Sequence, residues 1–497
     1  MKVLLVSPEV SPLSKTGGLG DVAGALPQAL RQVGVDARVL CPLYGFIDPE
    51  PLGKTRQAGS IRLRIGGAAR RAKVIETKLP ATDVPLYLLQ HKRSFDRKGI
   101  YSDANGDFTD NDERFLLLAQ SALALPSAIN WTPDVLHLHD WTVALTPACL
   151  NALPSGDARR QWASVLTIHN LMHQGVFPKT VLDKSELPHE FYNANGLEHN
   201  GCLNMLKGGI HHATKITTVS PTYSREIQEE PFAHGLQKSL KHRAADLIGI
   251  INGIDCAQWD PNTDRSLIRN YSIPDVEVGK TACKKDLLET LGLPQEEKRP
   301  LFFVVSRLDQ QKGLDLLANV LPKLISDHDA AFALLGSGDP LLESTYKSIS
   351  RENPDRVAAV IGFDEKLARK LFAGGDFLVV PSRFEPCGLT QLYAMRYGTI
   401  PVVRETGGLA DTVTPWRPGK RSATGIVYEG MGEWELFLAL EQALKVYRSQ
   451  KTFSALRRNG MQRDSSWEPS AKYYAKTYSW AVEQRLKTIR EEEDLKP

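Results

Sequence analysis

Short apolar runs recur along the chain, each followed by glycine, polar or proline residues. Residues 3–6 form a continuous apolar, β-rich run, the pattern of a strand buried on both faces. Gly17, Gly18 and Gly20 follow in a loop, and Asp21 is placed to cap a helix through Gln32, with Gly34 as its stop. A second run, 37–40, ends at Pro42. The rhythm returns at 135–138, 165–168 and 216–219, and a second series follows at 301–305, 331–335, 357–361, 377–380 and 400–403. Strand, loop, helix, strand in this order predicts an α/β fold of two Rossmann-like doubly wound domains. The 497 residues exceed what one ordinary core holds, which also points to two domains. The junction is expected near 245–252, giving an N-terminal domain 1–246 and a C-terminal domain 247–470. The aromatic-rich amphipathic tail 471–497, with Tyr473, Tyr474, Tyr478 and Trp480, is expected to pack back on the first domain.

In open α/β sheets ligands gather at the carboxyl ends of the strands. Polar and glycine residues collect at those places here: 15–21, His139-Asp140, His169-Asn170, Arg307, Lys312 and Glu385. Two such domains facing each other would form a cleft lined by these residues. The loop 15–21 has neither the spacing of a P-loop nor GxGxxG, so its glycines alone fit a phosphate site and a tight turn equally well. Lys15 shifts the balance, because a lysine just ahead of such a loop offers a point charge to a diphosphate or a sugar oxygen. Arg307 and Lys312 flank the start of a helix, where cations oppose the helix dipole, and a bound polyanion accounts for them better than chance. Together with Lys15 they could neutralise a leaving diphosphate without a metal. Glu385 stands between a strand end and a helix expected to start near Gly388, where it fits either an acidic residue complementing the helix N-terminus or a carboxylate for sugar hydroxyls.

Three further features favour the plainer reading. Cys387 has no histidine next to it in sequence and reads as a packing residue rather than a nucleophile. His137 and His139 would share one face of a strand, but no third ligand has recognisable spacing for a metal. Asp110 and Asp112 make an acidic pair suited to a divalent cation, yet a helical pattern follows at once, and helix capping explains them better.

Composition narrows the field. The net charge is +3, and the one block of like charge is Glu491, Glu492, Glu493 and Asp494, so no footprint for nucleic acid or an anionic membrane is present. No run approaches the ~18 apolar residues of a membrane span, and the first apolar run is too short for a signal peptide. Six scattered cysteines without CxxC spacing suit reduced thiols. A cytoplasmic location is expected.

Several stretches together resemble the bacterial glycogen synthase and plant starch synthase family: KTGGLGD (15–21), HLHDW (137–141), TIHNL (167–171), TTVSPTY (217–223), INGID (251–255), SRLDQQKG (306–313) and the long segment 381–413 beginning PSRFEPCGLTQLY. They run in family order over nearly the whole chain. The resemblance implies a GT-B fold with the acceptor glucan on the N-terminal domain and the nucleotide-sugar donor on the C-terminal one. It implies retaining transfer of glucose from ADP-glucose, a co-substrate, to glycogen or a maltooligosaccharide, with no cofactor and no metal. It also implies that Lys15, Arg307 and Lys312 bind the diphosphate, that Gly18 and Asp21 lie against the donor, and that Asn252 lies near the nucleotide. Asp140, His169, Asn170 and Glu385 would surround the transferred glucose, with Tyr101 reaching the same place. Cys387, Gly388, Leu389 and Thr390 would supply the turn that holds hexose and phosphate. Many retaining GT-B enzymes carry a second glutamate eight residues after the first; Tyr393 stands there, as in the synthase pattern. The chain opens on its first strand, with no transit extension, and on that ground a bacterial enzyme using ADP-glucose is expected. A UDP-glucose enzyme, a different acceptor, or a sugar-nucleotide-binding protein without activity are the alternatives.

Overall fold

The first apolar run becomes strand β1, Lys2–Val6, at the centre of a nine-stranded sheet. The computed structural model describes residues 1–48 and 50–494. The chain divides into two units, Met1–Gly253 with the segment from Trp467 onward, and Ile254–Ser466.

In the first unit β1 is followed by helix α1, Gly18–Gln32, and strand β2, Asp36–Pro42. A hairpin of β3, Arg56–Ile65, and β4, Ala68–Lys78, leads to β5, Pro85–Gln90. Helix α2, Asn111–Ile129, then precedes β6, Val135–His139, β7, Ala163–Ile168, β8, Lys215–Thr218, and β9, Leu247–Gly249. The strand order is β9-β8-β7-β6-β1-β2-β5-β4-β3. Every neighbouring pair from β9 to β5 is parallel, and β4 and β3 add antiparallel. The chain reverses direction across the sheet between β1 and β6. Their carboxyl ends therefore flank the crevice where a doubly wound sheet binds ligand.

The second unit is a six-stranded sheet, all parallel. Its strands are β10, Leu301–Val305, β11, Ala331–Gly336, β12, Val357–Ile361, β13, Phe377–Val380, β14, Ile400–Arg404, and β15, Ile426–Tyr428. The order β12-β11-β10-β13-β14-β15 has its switch point between β10 and β13. Along β10, Phe302 and Val304 enter one apolar cluster while Leu301 and Phe303 enter the other. The run is apolar throughout because both faces are covered. Burial of each such side chain contributes about 1.5–3 kcal/mol.

The boundaries between the units differ from the expected ones. β9 pairs with β8 in parallel and so keeps residues 247–249 in the first unit. The C-terminal helix, Trp467–Asp494, starts earlier than 471, and Ser470 Oγ donates to the Ile251 carbonyl at 2.5 Å. That helix buries Ala471, Tyr474, Tyr478 and Ala481 and exposes Tyr473. The hairpin β3–β4 was not foreseen. Its buried Ile61 and Ile65 alternate with the exposed Arg62 and Arg64, a half-buried pattern unlike the continuous apolar runs from which the other strands were read.

Two capping expectations are corrected. Helix α1 begins at Gly18 with Gly17 as its N-cap, so Asp21 lies inside the first turn. Asp110 stands at the N-cap position of α2 without accepting a backbone hydrogen bond there. Its carboxylate instead takes both guanidinium nitrogens of Arg97, at 2.7 and 2.5 Å, and Asp112 pairs with Lys184 at 2.7 Å. An ion pair with a nearby cation outcompetes the cap at both acids. Among the described residues no helix is long and apolar enough to cross a membrane, and no three His, Cys, Asp or Glu side chains are grouped to hold a metal ion.

Candidate active site

In the first unit the loop after β1 folds around a residue that sequence reasoning missed. Glu9 is 2% exposed. Its Oε2 accepts from the amides of Thr16 at 2.7 Å and Gly17 at 3.3 Å, and its Oε1 accepts from Thr16 Oγ1 at 2.6 Å and Tyr101 hydroxyl at 2.7 Å. One carboxylate thus sets the loop 15–17 and brings Tyr101 to it from 92 residues away. A buried charge that accepts this many hydrogen bonds is compensated. Lys15 emerges next to this anchor and pairs with Asp21 at 2.7 Å. Gly18 opens α1, where the first turn leaves backbone N–H groups without intrahelical partners.

Across the switch point, β6 ends at His139 and Asp140. Asp140 has φ 60° and ψ −174°, a region that residues with a Cβ rarely enter. This backbone turns its carboxylate back onto the end of β7. Oδ1 accepts from the His169 amide at 2.7 Å, and the Asn170 amide also donates to the carboxylate. Burial pushes the Asp140 carboxyl up to about 7; the two amides oppose this, and the Glu9 charge reinforces it. Burial takes His169 the other way, down to about 3, so its ring is neutral at physiological pH. His169 Nε2 lies 2.9 Å from His139 Nδ1. His137 lies on the same face of β6, as its spacing predicted, with its two nitrogens at Thr167 Oγ1 (2.7 Å) and Tyr478 hydroxyl (2.8 Å). Asn170 Oδ1 accepts from the Met172 amide at 3.1 Å. Asn252 is buried, and its Oδ1 has no partner among the described residues. It belongs to the first unit, whereas the expected boundary put it in the second.

In the second unit the groups gather after β10 and β13. Asp309 caps the turn Gln310–Lys312 by accepting from the Lys312 amide at 3.0 Å. Gly313 follows at φ +65°, with its α-carbon against the Pro381 carbonyl, which brings the two loops together. Lys312 Nζ then reaches Glu385 Oε2 at 2.6 Å, and Ser382 Oγ donates to the same oxygen at 3.0 Å. Glu385 is 6% exposed. Arg307 stands apart from this pair: it is mostly exposed and lies 3.2 Å from Asp309. Arg383 clamps Asp315 with two 2.7 Å bonds, and the Arg404 guanidinium donates to the Ser382 and Arg383 carbonyls, so the loop carrying Glu385 is held from both sides.

Cys387 is buried, and Gln391 Nε2 donates to the carbonyls of Cys387 at 3.0 Å and Gly388 at 2.9 Å. Gly388 has φ +71°, and Leu389 is the N-cap of a helix that starts at Thr390, two residues later than expected. Tyr393 is 9% exposed and stacks on Trp259 with ring centroids 4.0 Å apart. At this position a packed aromatic takes the place of a carboxylate. A second unforeseen residue is Phe363. It follows Gly362 at the carboxyl end of β12 and is 88% exposed.

Residues 2–242 match the family model of the starch synthase catalytic domain, and residues 292–460 match that of glycosyl transferases group 1. A glycogen synthase of Anaeromyxobacter sp. (strain Fw109-5) is 44% identical over 480 residues, covering 96% of this chain and 99% of that relative. Glycogen synthase 1 of Geobacter sulfurreducens is 39% identical over 489 residues, covering 98% of this chain and 97% of its own length. The catalytic domain of starch synthase IV from Arabidopsis thaliana, bound to ADP and acarbose, superposes with a TM-score of 0.89 at 29% identity, covering 97% of this chain and 99% of that one.

Proposed function

The chain belongs to the glycogen synthase and starch synthase family of glycosyltransferases with the GT-B fold, and from that premise we propose that it transfers glucose from ADP-glucose to the non-reducing end of an α-1,4-glucan, with retention and release of ADP. The observation that carries this reading is the buried Glu385, held by Lys312 and Ser382 at the switch point of the second unit. A carboxylate fixed in this way, beside cations, suits a sugar hydroxyl next to a diphosphate. The ADP and acarbose bound to the Arabidopsis enzyme support ADP as the leaving group and a glucan-like acceptor.

The roles follow from the chemistry. Lys312, Arg307 and Lys15 stabilise the charge that grows on the departing diphosphate. Each of these cations pairs with a carboxylate, Glu385, Asp309 and Asp21 respectively. The carboxylates hold the ammonium and guanidinium groups in place for the diphosphate, whose charge these cations take up without a metal. In its ionised form Asp140, accepting two amides, steadies the oxocarbenium-like sugar, as does the backbone carbonyl of His169, whose neutral ring binds a sugar hydroxyl. Gly18, Asn170 and Asn252 contribute to donor binding from the first unit, and Cys387, Gly388, Leu389 and Thr390 from the second. Tyr101 acts through Glu9 on the loop of Lys15. Phe363 offers a flat, exposed aromatic face to the nucleotide base. Glu385 is tied to Lys312, and Asp140 to two amides, so attack by the acceptor on the face that the diphosphate leaves is our preferred course. We place the enzyme in the cytoplasm, in keeping with six free cysteines.

The test is a donor panel of ADP-, UDP- and GDP-glucose with a glycogen primer, following nucleoside diphosphate release. Primer-dependent turnover with ADP-glucose is the expected result. Turnover with UDP-glucose alone would replace the donor. A folded, nucleotide-binding protein with no turnover on any donor would overturn the glucosyl-transfer reading.

A further inference from the structure

His139 makes no contact in the mechanism above, yet it is wholly buried at the end of β6, and among the described residues the one hydrogen-bond partner of its ring is His169. We infer that His139 is a positioning residue that locks His169 into the tautomer with its proton on Nδ1, so that His169 serves the sugar as a hydrogen-bond donor and not as a base.

Burial keeps both rings neutral, so each carries a single N–H. One N–H lies in the 2.9 Å contact between His139 Nδ1 and His169 Nε2. His139 Nε2 is shut off from solvent and has no partner among the described residues. If His169 Nε2 held the shared proton, the proton of His139 would sit on that partnerless Nε2, as a buried donor with nothing to receive it. If His139 Nδ1 holds it, Nε2 is a bare lone pair. Buried orphan donors are rarer than under-used acceptors. His139 is therefore the donor, and His169 accepts at Nε2 and carries its own proton on Nδ1.

The surroundings hold His139 in this role. The His137 ring lies 4.2 Å away, centroid to centroid, and is itself fixed between Thr167 and Tyr478 of the C-terminal helix. The β6–β7 register places His139 opposite Thr167, two residues before His169. The Asp140 carboxylate holds the His169 amide, so backbone and ring are both constrained. This deepens the glucosyl-transfer reading and rests on it for the meaning of the donor, but the tautomer itself does not depend on the substrate.

The test is long-range proton–nitrogen NMR of the full chain labelled at histidine, assigned with His139→Asn and His169→Asn. Both rings are expected as Nδ1–H tautomers, unchanged from about pH 5.5 to about 8.5. A His169 with its proton on Nε2, or one that becomes imidazolium in that range, would overturn the inference. Turnover supplies the second arm. In His139→Asn the amide N–H can stand where Nδ1–H stood, and kcat is expected within about fivefold of wild type; His139→Leu is expected to lose about 100-fold in kcat with the donor KM little changed. Equal losses in the two variants would also overturn it. The wild-type spectrum decides the tautomer even if His139→Leu fails to fold. Failure of the donor panel with the tautomer confirmed would remove the function and leave the positioning intact.

Discussion

The ammonium group of Lys312 lies 2.6 Å from the carboxylate of Glu385, across 73 residues of chain and at the reversal point of the second sheet. Two loops, one after β10 and one after β13, meet through this contact. It holds a cation and a hydrogen-bond acceptor in fixed relation, and preorganised electrostatics of this kind is usually the largest single term in catalysis.

If both groups act as one device, their losses will not add. Glu385→Gln and Lys312→Gln are each expected to reduce kcat by roughly 100-fold or more, and the double variant to fall well short of the product of the two. Single-turnover kinetics on the four proteins of the cycle measures this. Additive losses would separate the two residues into independent roles.

Asp140 gives a pH dependence with a defined sign. Its carboxyl is raised from 3.8 to about 7, chiefly by burial. The folded chain keeps this proton at pH values where the unfolded chain has released it. The stability contributed by the group is therefore present below about 4 and is lost as pH rises through 7. Activity should run the opposite way, rising through pH 7 as the charge that steadies the sugar appears. Asp140→Asn is expected to have low kcat without the inflection near 7, and to lose this group's share of the pH slope in urea midpoints. An unchanged inflection would assign it to another group.

The strands that carry the candidate site were legible because their residues are apolar throughout and the polar residues follow abruptly. Arg307 after β10 and Glu385 after β13 could be placed from that contrast alone. Glu9 could not. Nothing in its neighbourhood shows that the side chain folds back on Thr16, and its bond to Tyr101 depends on packing between distant segments. The His139–His169 contact likewise depends on the register of β6 against β7, which side-chain pattern does not reveal. Asp21 and Asp110 illustrate the converse. Both look like caps locally, and a nearby cation claims each of them.

Glu9 gives a prediction of its own. Removing its charge frees the loop of Lys15, so Glu9→Gln should raise the donor KM and lower kcat together, by about tenfold each. Tyr101→Phe removes one of the same hydrogen bonds and should cost less. A double-mutant cycle is expected to show coupling between the two. If Glu9→Gln is near normal, the loop is held by its backbone alone.

Phe363 should matter for binding rather than for chemistry. Base–aromatic stacking is worth ~1–3 kcal/mol, so Phe363→Ala is expected to raise the donor KM by about tenfold with kcat nearly unchanged, while Phe363→Tyr keeps both. An unaltered KM in Phe363→Ala would place the base elsewhere.

Asp376 provides the contrast of a residue that supports the fold alone. It is 2% exposed, receives Lys284 at 2.6 Å and Arg457 at 2.9 Å, and accepts the Leu301 amide at the start of β10 at 2.9 Å. Both cations are nearly as buried as the acid, so deleting the carboxylate leaves Lys284 without its charge partner and Arg457 with Glu277 alone, at 2.7 Å. Breaking such a set costs about 3–5 kcal/mol. Asp376→Ala is expected to lower the unfolding temperature of the second unit in calorimetry, with kcat per folded molecule unchanged well below the transition. Lys284→Met together with Asp376→Leu should recover part of the loss, because an apolar pair removes the desolvation cost along with the attraction. A fall in kcat without a fall in stability would mean that the triad reaches the chemistry through β10 and the loop of Arg307.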